Sequence, residues 1–234
     1  MKARGNRDQI VYPSLSTPPP PFSNIYIYSY ILYRLATKYS GNFAPPTTPI
    51  RTNTVGNSLK SLRLSITHSL TNLQTPYIDL LYLHYWDFTT SIPEVMHALN
   101  DLITAGMVLY LGVSDTPAWV VVKANEYART HGLRPFSVYQ GKWNMGCRDV
   151  EREVLPMCRD QGMGVVPWGV MGVSKFRTAE RREVVREEDD GRKVPLSEND
   201  VKLSEALEAM AVEKKVPFHA LVCALPLKLT LYFP

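Results

Sequence analysis

The stretch Tyr77-Ile-Asp-Leu-Leu-Tyr-Leu-His84-Tyr-Trp-Asp87 decides the fold. Its apolar run from Ile78 to Leu83 is short and ends abruptly in polar and aromatic residues, which is typical of a strand buried on both faces of a parallel sheet. His84 follows at the carboxyl end of this strand, where parallel α/β folds bind ligands. From this stretch alone His84 has two interpretations, a hydrogen-bonded structural histidine and a catalytic one.

Amphipathic and apolar segments alternate on both sides of this strand. Aliphatic side chains recur every three or four positions over residues 59–73, which predicts a helix. Pro93 suits the first turn of a second helix over 92–105. The alternation continues with strands at 108–114, 136–140 and 163–168 and helices at 116–128, 149–159 and 197–214, of which the first and last begin with the N-cap candidates Thr116 and Ser197. Repeated β-α units predict an α/β fold with a parallel sheet, either a barrel or a doubly wound sheet.

Composition narrows the class of protein. The chain is 45% hydrophobic and 21% charged, which is typical of a globular α/β domain. Its net charge of +4 comes from basic residues scattered among acidic ones, so we expect no nucleic-acid partner. The apolar stretch Ile25–Leu35 is too short to span a bilayer, so we expect no membrane partner. Cys147, Cys158 and Cys223 lack metal or redox spacing, which predicts reduced thiols, no bound metal and a cytoplasmic protein.

Two further patterns limit the interpretation. No GxGxxG follows the first strand, which argues against a Rossmann dinucleotide site, and no P-loop motif occurs. Residues 177–200 are dense in charge, which predicts an exposed loop. The final residues 221–234 are apolar, contain two prolines and have no clear periodicity, so we assign no element to them.

Several segments, in one order, carry a resemblance to a known family. They are residues 77–87 quoted above, Leu109-Tyr-Leu-Gly-Val-Ser-Asp115, Gln140-Gly-Lys-Trp-Asn144, Arg148-Asp-Val-Glu-Arg152 and Val166-Pro-Trp-Gly169. Together they resemble the aldo-keto reductases, especially the fungal aryl-alcohol dehydrogenase and norsolorinic acid reductase-like branch. The likeness runs from about residue 57 to residue 176, and Ala36-Thr-Lys-Tyr39 extends it towards the N-terminus. Such an ordered set is more specific than any single motif.

The resemblance implies a TIM barrel that binds NADP(H) and reduces carbonyl groups. A carbonyl oxygen that receives a hydride at its carbon becomes negatively charged and needs a hydrogen-bond donor and a proton source. By resemblance, His84 orients that oxygen, and Lys38 is the lysine that lowers the pKa of a proton-donating tyrosine. The resemblance assigns cofactor binding to Ser114, Asp115 (where many members carry Asn) and Gln140 at the nicotinamide carboxamide, Trp168 at the ring, and Gly169, Met171 and Gly172 near the pyrophosphate.

The chain departs from the family pattern in three places. No Asp-x-Ala-x-x-Tyr motif occurs, so the family's catalytic Asp and Tyr and its first two strands are not recognisable, and Tyr39 alternates away from Lys38. We therefore expect a single partial domain, an incomplete (β/α)8 barrel with about five of its eight parallel strands. The lysine strand is split between 7–11 and 35–38, which suggests that 12–34 is an insertion from an intron or a gene-model error. Residues 220–234 lose the family pattern, including the basic patch for the 2′-phosphate.

The sequence thus predicts an NADP-dependent oxidoreductase that reduces an aryl aldehyde or a polyketide-type ketone and whose activity is impaired in this chain. Its expected partner is a small-molecule carbonyl compound. An alternative is an inactive truncated paralogue that serves as a binding or scaffold subunit, as an oligomer with itself or with an intact homologue. The remaining interpretation is that the chain itself is a gene-model artefact.

Overall fold

The computed structural model describes residues 10–13, 33–44, 47, 50–187 and 195–232. The strands are β1 (Ile10–Pro13), β2 (Tyr33–Tyr39), β3 (Ile78–Leu83), β4 (Val108–Ser114), β5 (Val138–Lys142) and β6 (Gly164–Trp168). The helices are α1 (Leu59–Leu73), α2 (Ile92–Thr104), α3 (Ala118–Thr130), α4 (Val154–Asp160), α5 (Ala179–Glu187), α6 (Glu198–Glu213) and α7 (Phe218–Tyr232). Short 3-10 helices lie at Thr52–Thr54 and Asp149–Glu151.

The strands form one sheet in the order β1-β2-β3-β4-β5-β6. The strands β2 to β6 are parallel and carry helices in their connections, which confirms the prediction of an incomplete (β/α) barrel. β1 lies antiparallel to β2, with Ile10 opposite Ala36. The two segments read as parts of one lysine strand are therefore neighbouring strands in this chain. Most of the segment interpreted as an insertion, residues 14–32, lies outside the described residues, so that interpretation stays a prediction.

Serine side chains begin three of the helices. Ser58 accepts a hydrogen bond from the backbone of Ser61 at the start of α1, and Ser91 does the same for Glu94 in α2. Ser197 and Asp200 form a reciprocal capping box at α6, which confirms the predicted cap. The predicted cap at Thr116 is wrong, because its hydroxyl donates to the backbone oxygen of Ser114 and Pro117 occupies the N-cap position of α3.

The charged segment 177–200 is not a continuous loop. Residues 179–187 form α5 and Glu198 begins α6, while residues 188–194 lie outside the described part of the chain. The backbone N–H of Ala179 donates to the Glu208 carboxylate at 2.9 Å, and Arg182 lies 3.5 Å from the Glu205 carboxylate. The predicted exposure agrees with the structure at residues 179–181 and 183, whereas the predicted loop is wrong at 179–187, which is helical and contacts α6. The C-terminal stretch without an assigned element forms most of α7.

The contacts of the chain divide it into two compact units. The first comprises Met1–Gln140 and Met157–Gly164, and the second comprises Gly141–Pro156 and Val165–Pro234. In the first unit, the buried side chains of β3 and β4 include Leu81, Leu83, Leu111 and Val113. In the second, a separate apolar cluster consists of Phe176, Leu207 and Val222 with Met145, Val170, Met171, Leu203, Phe218 and Leu225 packed against it. No helix of the described residues is long and apolar enough to span a bilayer.

Candidate active site

Four predicted site residues lie at the carboxyl ends of neighbouring parallel strands in the first unit. Lys38 is near the end of β2, His84 follows β3, Ser114 ends β4 and Gln140 lies in β5. Lys38 is the register partner of Tyr82, and Ser114 is the register partner of Gln140. Register partners project from the same face of a sheet, and Tyr82 precedes His84 by two residues. The structure therefore brings the four residues to one edge of the sheet.

Tyr82 forms a floor beneath this edge. Its ring is fully buried, and the Lys38 ammonium lies 6.0 Å from the ring centroid. A Cβ on Gly112 would lie 2.5 Å from two ring carbons of Tyr82, so only glycine at this position lets the ring lie across β4. Sequence reasoning missed both residues, although an isolated glycine in a strand pattern indicates a close approach of this kind.

Ser114 and Gln140 offer buried polar groups at the same edge. Ser114 is 0% exposed and Gln140 is 2% exposed. Among the described residues, the Ser114 Oγ has no hydrogen-bond partner, whereas its backbone oxygen accepts from the Thr116 hydroxyl at 2.8 Å. An unsatisfied buried hydroxyl is costly unless a ligand bonds to it. The pair therefore fits the carboxamide-binding role that the resemblance assigns to it.

Asp115 differs from its neighbours because it is exposed and has a φ of 41°. This left-handed region favours Asn and Asp among non-glycine residues. The Asp115 N–H donates to the backbone oxygen of Gln140 at 3.3 Å and so ties the end of β4 to β5. The backbone of Asp115 therefore links two strands, and the contact of its side chain with a carboxamide stays a prediction.

The backbone of His84 is fixed by the end of β2. Its N–H donates to the Tyr39 backbone oxygen at 3.1 Å and approaches the Ser40 Oγ at 3.2 Å. The next residue, Tyr85, donates its N–H to the Ser40 Oγ at 3.3 Å and its phenol hydroxyl to the Ser40 backbone oxygen at 2.9 Å. The sequence analysis did not select Ser40 as a site residue. The one feature of the sequence that could have indicated it is that a polar residue follows the strand directly.

Asn57 and Asp87 fix the loop that follows His84. The Asn57 N–H donates to the Asp87 carboxylate at 2.7 Å, the Asp87 N–H donates to the Asn57 side-chain oxygen at 2.8 Å, and the Asn57 amide donates to the Tyr85 backbone oxygen at 2.9 Å. Burial alone would raise the pKa of Asp87, but backbone hydrogen bonds from Asn57, Thr89 and Thr90 outweigh it and hold the pKa below its usual value. The carboxylate therefore stabilises this loop in its ionised form.

Tyr39 lies on the opposite face of β2 from Lys38, as strand alternation predicts. Its side chain is buried, and its hydroxyl has no hydrogen-bond partner in the described part of the chain. Burial, followed by the charges of Asp87 and Glu94, raises the pKa of Tyr39. A tyrosine in this environment holds its proton tightly and is a poor acid.

The other predicted cofactor residues belong to the second unit. Lys142 places its ammonium 5.8 Å from the Trp168 ring centroid, and the Asn144 amide donates to the Gly169 backbone oxygen at 2.9 Å. Gly169 and Gly172 have φ values of 68° and 65°, and the Gly172 N–H donates to the Gly169 oxygen at 2.8 Å. These angles favour glycine, although Val173 and Ser174 in the same turn also have positive φ values of 57° and 68°.

A cavity of about 490 Å³ in the second unit adds residues that sequence reasoning missed. It is lined by Met171, Ser174, Phe176, Arg177, Thr178, Arg181, Phe218 and His219. Two guanidinium groups and two hydroxyls suit an anionic group such as a phosphate. No group of three or more His, Cys, Asp or Glu side chains arranged to hold a metal ion occurs among the described residues.

Comparison with known proteins identifies the family of the chain. The model of the aldo/keto reductase family matches residues 32–228, which is most of the chain. The match includes β2 with Lys38 and extends into α7.

Three of the similar curated relatives are fungal enzymes. Norsolorinic acid reductase B of Dothistroma septosporum is 47% identical over 237 residues, which cover 100% of this chain and 55% of the relative. Norsolorinic acid reductase A of Aspergillus parasiticus is 56% identical, with 77% of this chain and 46% of the relative covered. The NADP(+) aryl-alcohol dehydrogenase of Phanerodontia chrysosporium is 44% identical, with 91% and 52% covered. The chain spans about half the length of these relatives.

Proposed function

This chain belongs to the aldo/keto reductase family, and from that premise we propose that it binds NADP(H) and reduces an aryl aldehyde or a polyketide-type ketone. The single observation that carries the proposal is the gathering of Lys38, His84, Ser114 and Gln140 at one edge of the parallel sheet. The names of the relatives, which include an NADP(+) enzyme and reductases of norsolorinic acid, support the cofactor and the substrate class.

We propose that Ser114 and Gln140 hold the nicotinamide end of the cofactor. The buried Ser114 hydroxyl, without a partner among the described residues, and the buried Gln140 amide can together bond the oxygen and nitrogen of a carboxamide. When bound, NADPH supplies the hydride. Separately, we propose that the cavity of the second unit binds a phosphate through Arg177 and Arg181, whereas the assignments of Trp168, Gly169, Met171 and Gly172 stay predictions.

We propose that His84 and Lys38 act on the carbonyl oxygen. A His84 ring N–H donates a hydrogen bond that orients this oxygen, and it strengthens as negative charge develops there. The Lys38 ammonium places a positive charge at the same edge, which favours the anionic oxygen and lowers the pKa of a nearby phenol. Both groups are held by strand ends, so little reorganisation is needed during reaction.

We further propose that proton transfer is impaired in a polypeptide of these 234 residues. The sequence contains no Asp-x-Ala-x-x-Tyr motif, and Tyr39 projects from the wrong face of β2. Tyr82 lies near Lys38, but its ring is packed across Gly112 in the floor of the site. Without a positioned acid, the rate falls by about 10²–10⁴-fold.

The test measures binding and turnover separately. NADPH binding is followed by fluorescence, and reduction of an aromatic aldehyde is followed by the nicotinamide absorbance. We expect the protein to bind NADPH and Gln140→Ala to weaken that binding. We expect turnover to be about 10²–10⁴-fold below that of a full-length relative. Robust turnover that His84→Ala abolishes would refute the impairment, and an absence of NADPH binding would refute the cofactor proposal.

A second candidate is a binding or scaffold subunit that pairs with itself or an intact homologue. It is favoured by the exposed apolar side chains of Leu109 and Tyr110 at the start of β4. Co-expression with a full-length relative should then give a stable hetero-oligomer by size-exclusion chromatography, and separate elution of the two proteins would count against it. The cytoplasmic location and the absence of a nucleic-acid or membrane partner stay predictions.

A further inference from the structure

Ser40 lies directly after the lysine strand β2 and is fully buried. Its Oγ accepts the backbone N–H groups of His84 at 3.2 Å and Tyr85 at 3.3 Å, and donates to the Tyr39 backbone oxygen. A hydroxyl has one donor and two acceptor sites, so these contacts use its full capacity. The Ser40 side chain therefore reinforces the bond of the His84 N–H to the Tyr39 backbone oxygen at 3.1 Å and adds a link from Tyr85 to the same strand end.

The backbone of Ser40 is held in a conformation that favours glycine. Its φ is 81°, and its oxygen accepts hydrogen bonds from the Gly56 N–H and the Tyr85 hydroxyl, each at 2.9 Å. Glycine would adopt this angle at a lower conformational cost than serine. The hydrogen bonds of the serine hydroxyl offset part of this conformational cost.

The residue after Ser40 bounds the His84 ring. A Cβ built on Gly41 would lie 3.4 Å from the Nδ1 of His84, so the Gly41 backbone lies alongside the imidazole. Ser40 thus fixes the main chain of His84, and Gly41 limits the space that its ring can occupy. Two consecutive residues after β2 therefore lie against the main chain and the ring of the histidine.

We infer that Ser40 is a positioning residue for His84. Its hydroxyl holds the His84 main chain against the lysine strand, so that the imidazole is aligned with the carbonyl oxygen of the substrate. This inference rests on the proposed role of His84 in carbonyl reduction. Displacement of a reacting group by about 1 Å is enough to reduce a rate substantially, so loss of this hydroxyl should affect the chemical step more than substrate binding.

The test compares Ser40→Gly with Tyr85→Phe. Ser40→Gly removes the hydroxyl and suits the positive φ, which limits any loss of stability. Tyr85→Phe is the matched control, because it deletes a hydrogen bond at the same junction but leaves the Ser40 Oγ in place. NMR of protein labelled at its five histidines reports each ring, and His84→Ala identifies the His84 signals. If Ser40→Gly does not fold, Ser40→Cys, which keeps a weaker acceptor, replaces it.

We expect Ser40→Gly to shift or broaden the His84 signals and leave those of His68, His97, His131 and His219 unchanged. In the turnover assay with NADPH and an aromatic aldehyde, kcat should fall about 10-fold with KM nearly unchanged. Tyr85→Phe should leave the His84 signals at their wild-type positions. Unchanged His84 signals in Ser40→Gly, or an equal change in Tyr85→Phe, would overturn the inference.

The NMR result also separates this inference from the proposed function. If the wild-type protein neither binds NADPH nor oxidises it, the reductase proposal fails, yet a selective response of His84 to Ser40→Gly still supports the positioning role. If the enzyme is active and Ser40→Gly changes neither kcat nor the His84 signals, the positioning role fails and the reductase proposal stands.

Discussion

The two ends of the parallel sheet in the first unit are chemically different. At the carboxyl ends, Ser40, Ser114 and Gln140 are almost completely buried although they are polar. At the amino end of β4, Leu109 and Tyr110 are 46% and 59% exposed although they are largely apolar. They line a cavity of about 410 Å³ together with Ile103, Leu111, Arg134, Pro135 and Ser137. A single strand of seven residues, β4, runs between these two environments.

The two ends differ in whether every buried polar group has a partner, because the Ser114 Oγ at the carboxyl end has none among the described residues. Buried polar groups are tolerated where they are hydrogen-bonded or where a ligand completes their bonding, and both conditions are met at the carboxyl ends. Buried polar side chains also occur at the amino ends, where Asn100 and Asn125 hydrogen-bond the backbones of Arg134 and Phe136, so both of these amides have partners. In β/α barrels the carboxyl ends carry chemistry and the amino ends carry stability. Four substitutions test whether this contrast holds here.

The largest effect is expected at Gly112, in the floor between the two ends. Gly112→Ala places a methyl group 2.5 Å from the Tyr82 ring, so the free energy of unfolding should fall by about 1–3 kcal/mol. Gly164→Ala is the matched control, because its Cβ would meet only ordinary contacts at 3.9 Å. Urea denaturation measures both. Equal losses in the two variants would show that the packing of Tyr82 is not what requires glycine.

Asp87→Asn, at the carboxyl end, should lower the free energy of unfolding by about 1–2 kcal/mol at neutral pH, because an amide nitrogen then faces the Asn57 N–H. The pKa of Asp87 is lowered in the folded protein, so its contribution is present above the unfolded pKa of about 3.9 and is lost as pH falls through the folded pKa. The difference in unfolding free energy between wild type and variant should therefore shrink below about pH 4. A pH-independent difference would contradict the role of the ionised carboxylate.

Ser114→Ala should separate binding from stability. Its Oγ is buried without a partner among the described residues, so removal should leave the unfolding free energy unchanged or slightly higher. NADPH affinity should fall by about 2–10-fold, equivalent to about 0.5–1.5 kcal/mol. Ser65→Ala, which removes another buried hydroxyl without a described partner in α1, should leave affinity unaltered. Fluorescence titration with NADPH would detect the contrast. Equal affinities for the two variants would show that the Ser114 hydroxyl does not bind the cofactor.

The smallest effect is expected at the amino end. Tyr110→Ser removes an exposed ring, so the unfolding free energy should change by no more than about 0.5 kcal/mol. Thermal unfolding measures this change. The contrasting variant is Gly112→Ala, two residues away, for which a larger loss of stability is expected. A loss above 2 kcal/mol would mean that the amino end contributes as much to stability as the carboxyl end.

Much of the fold could be predicted from local patterns. The apolar run 78–83 predicts β3, because a strand buried on both faces must be apolar throughout. Ser197 predicts the start of α6, because its side chain can satisfy a free N–H at a helix terminus. The placement of Lys38 and His84 at strand ends also agrees with the sequence analysis, whereas their chemical roles stay predictions.

The rest depends on which segments meet. The charge of 177–187 predicts an exposed loop, but residues 179–187 form the helix α5, which contacts partners more than twenty residues away in α6. The contacts of Ser40 with His84 and of Asn57 with Asp87 join segments that are 44 and 30 residues apart. Neither pair forms a motif that local reasoning recognises, because hydrogen-bond partners are chosen by the register of the sheet rather than by spacing along the chain.

The sequence by itself determined the alternation of strands and helices, through local periodicity, and the family resemblance, through ordered motifs. The nine candidate site residues are what that resemblance implies, and their roles stay predictions. Only the tertiary structure decided which of them share one edge of the sheet, that Gly112 must be glycine beneath Tyr82, and that Ser40 fixes His84. Side-chain alternation along a strand is a local property, but close contact requires that separate strands be brought into register.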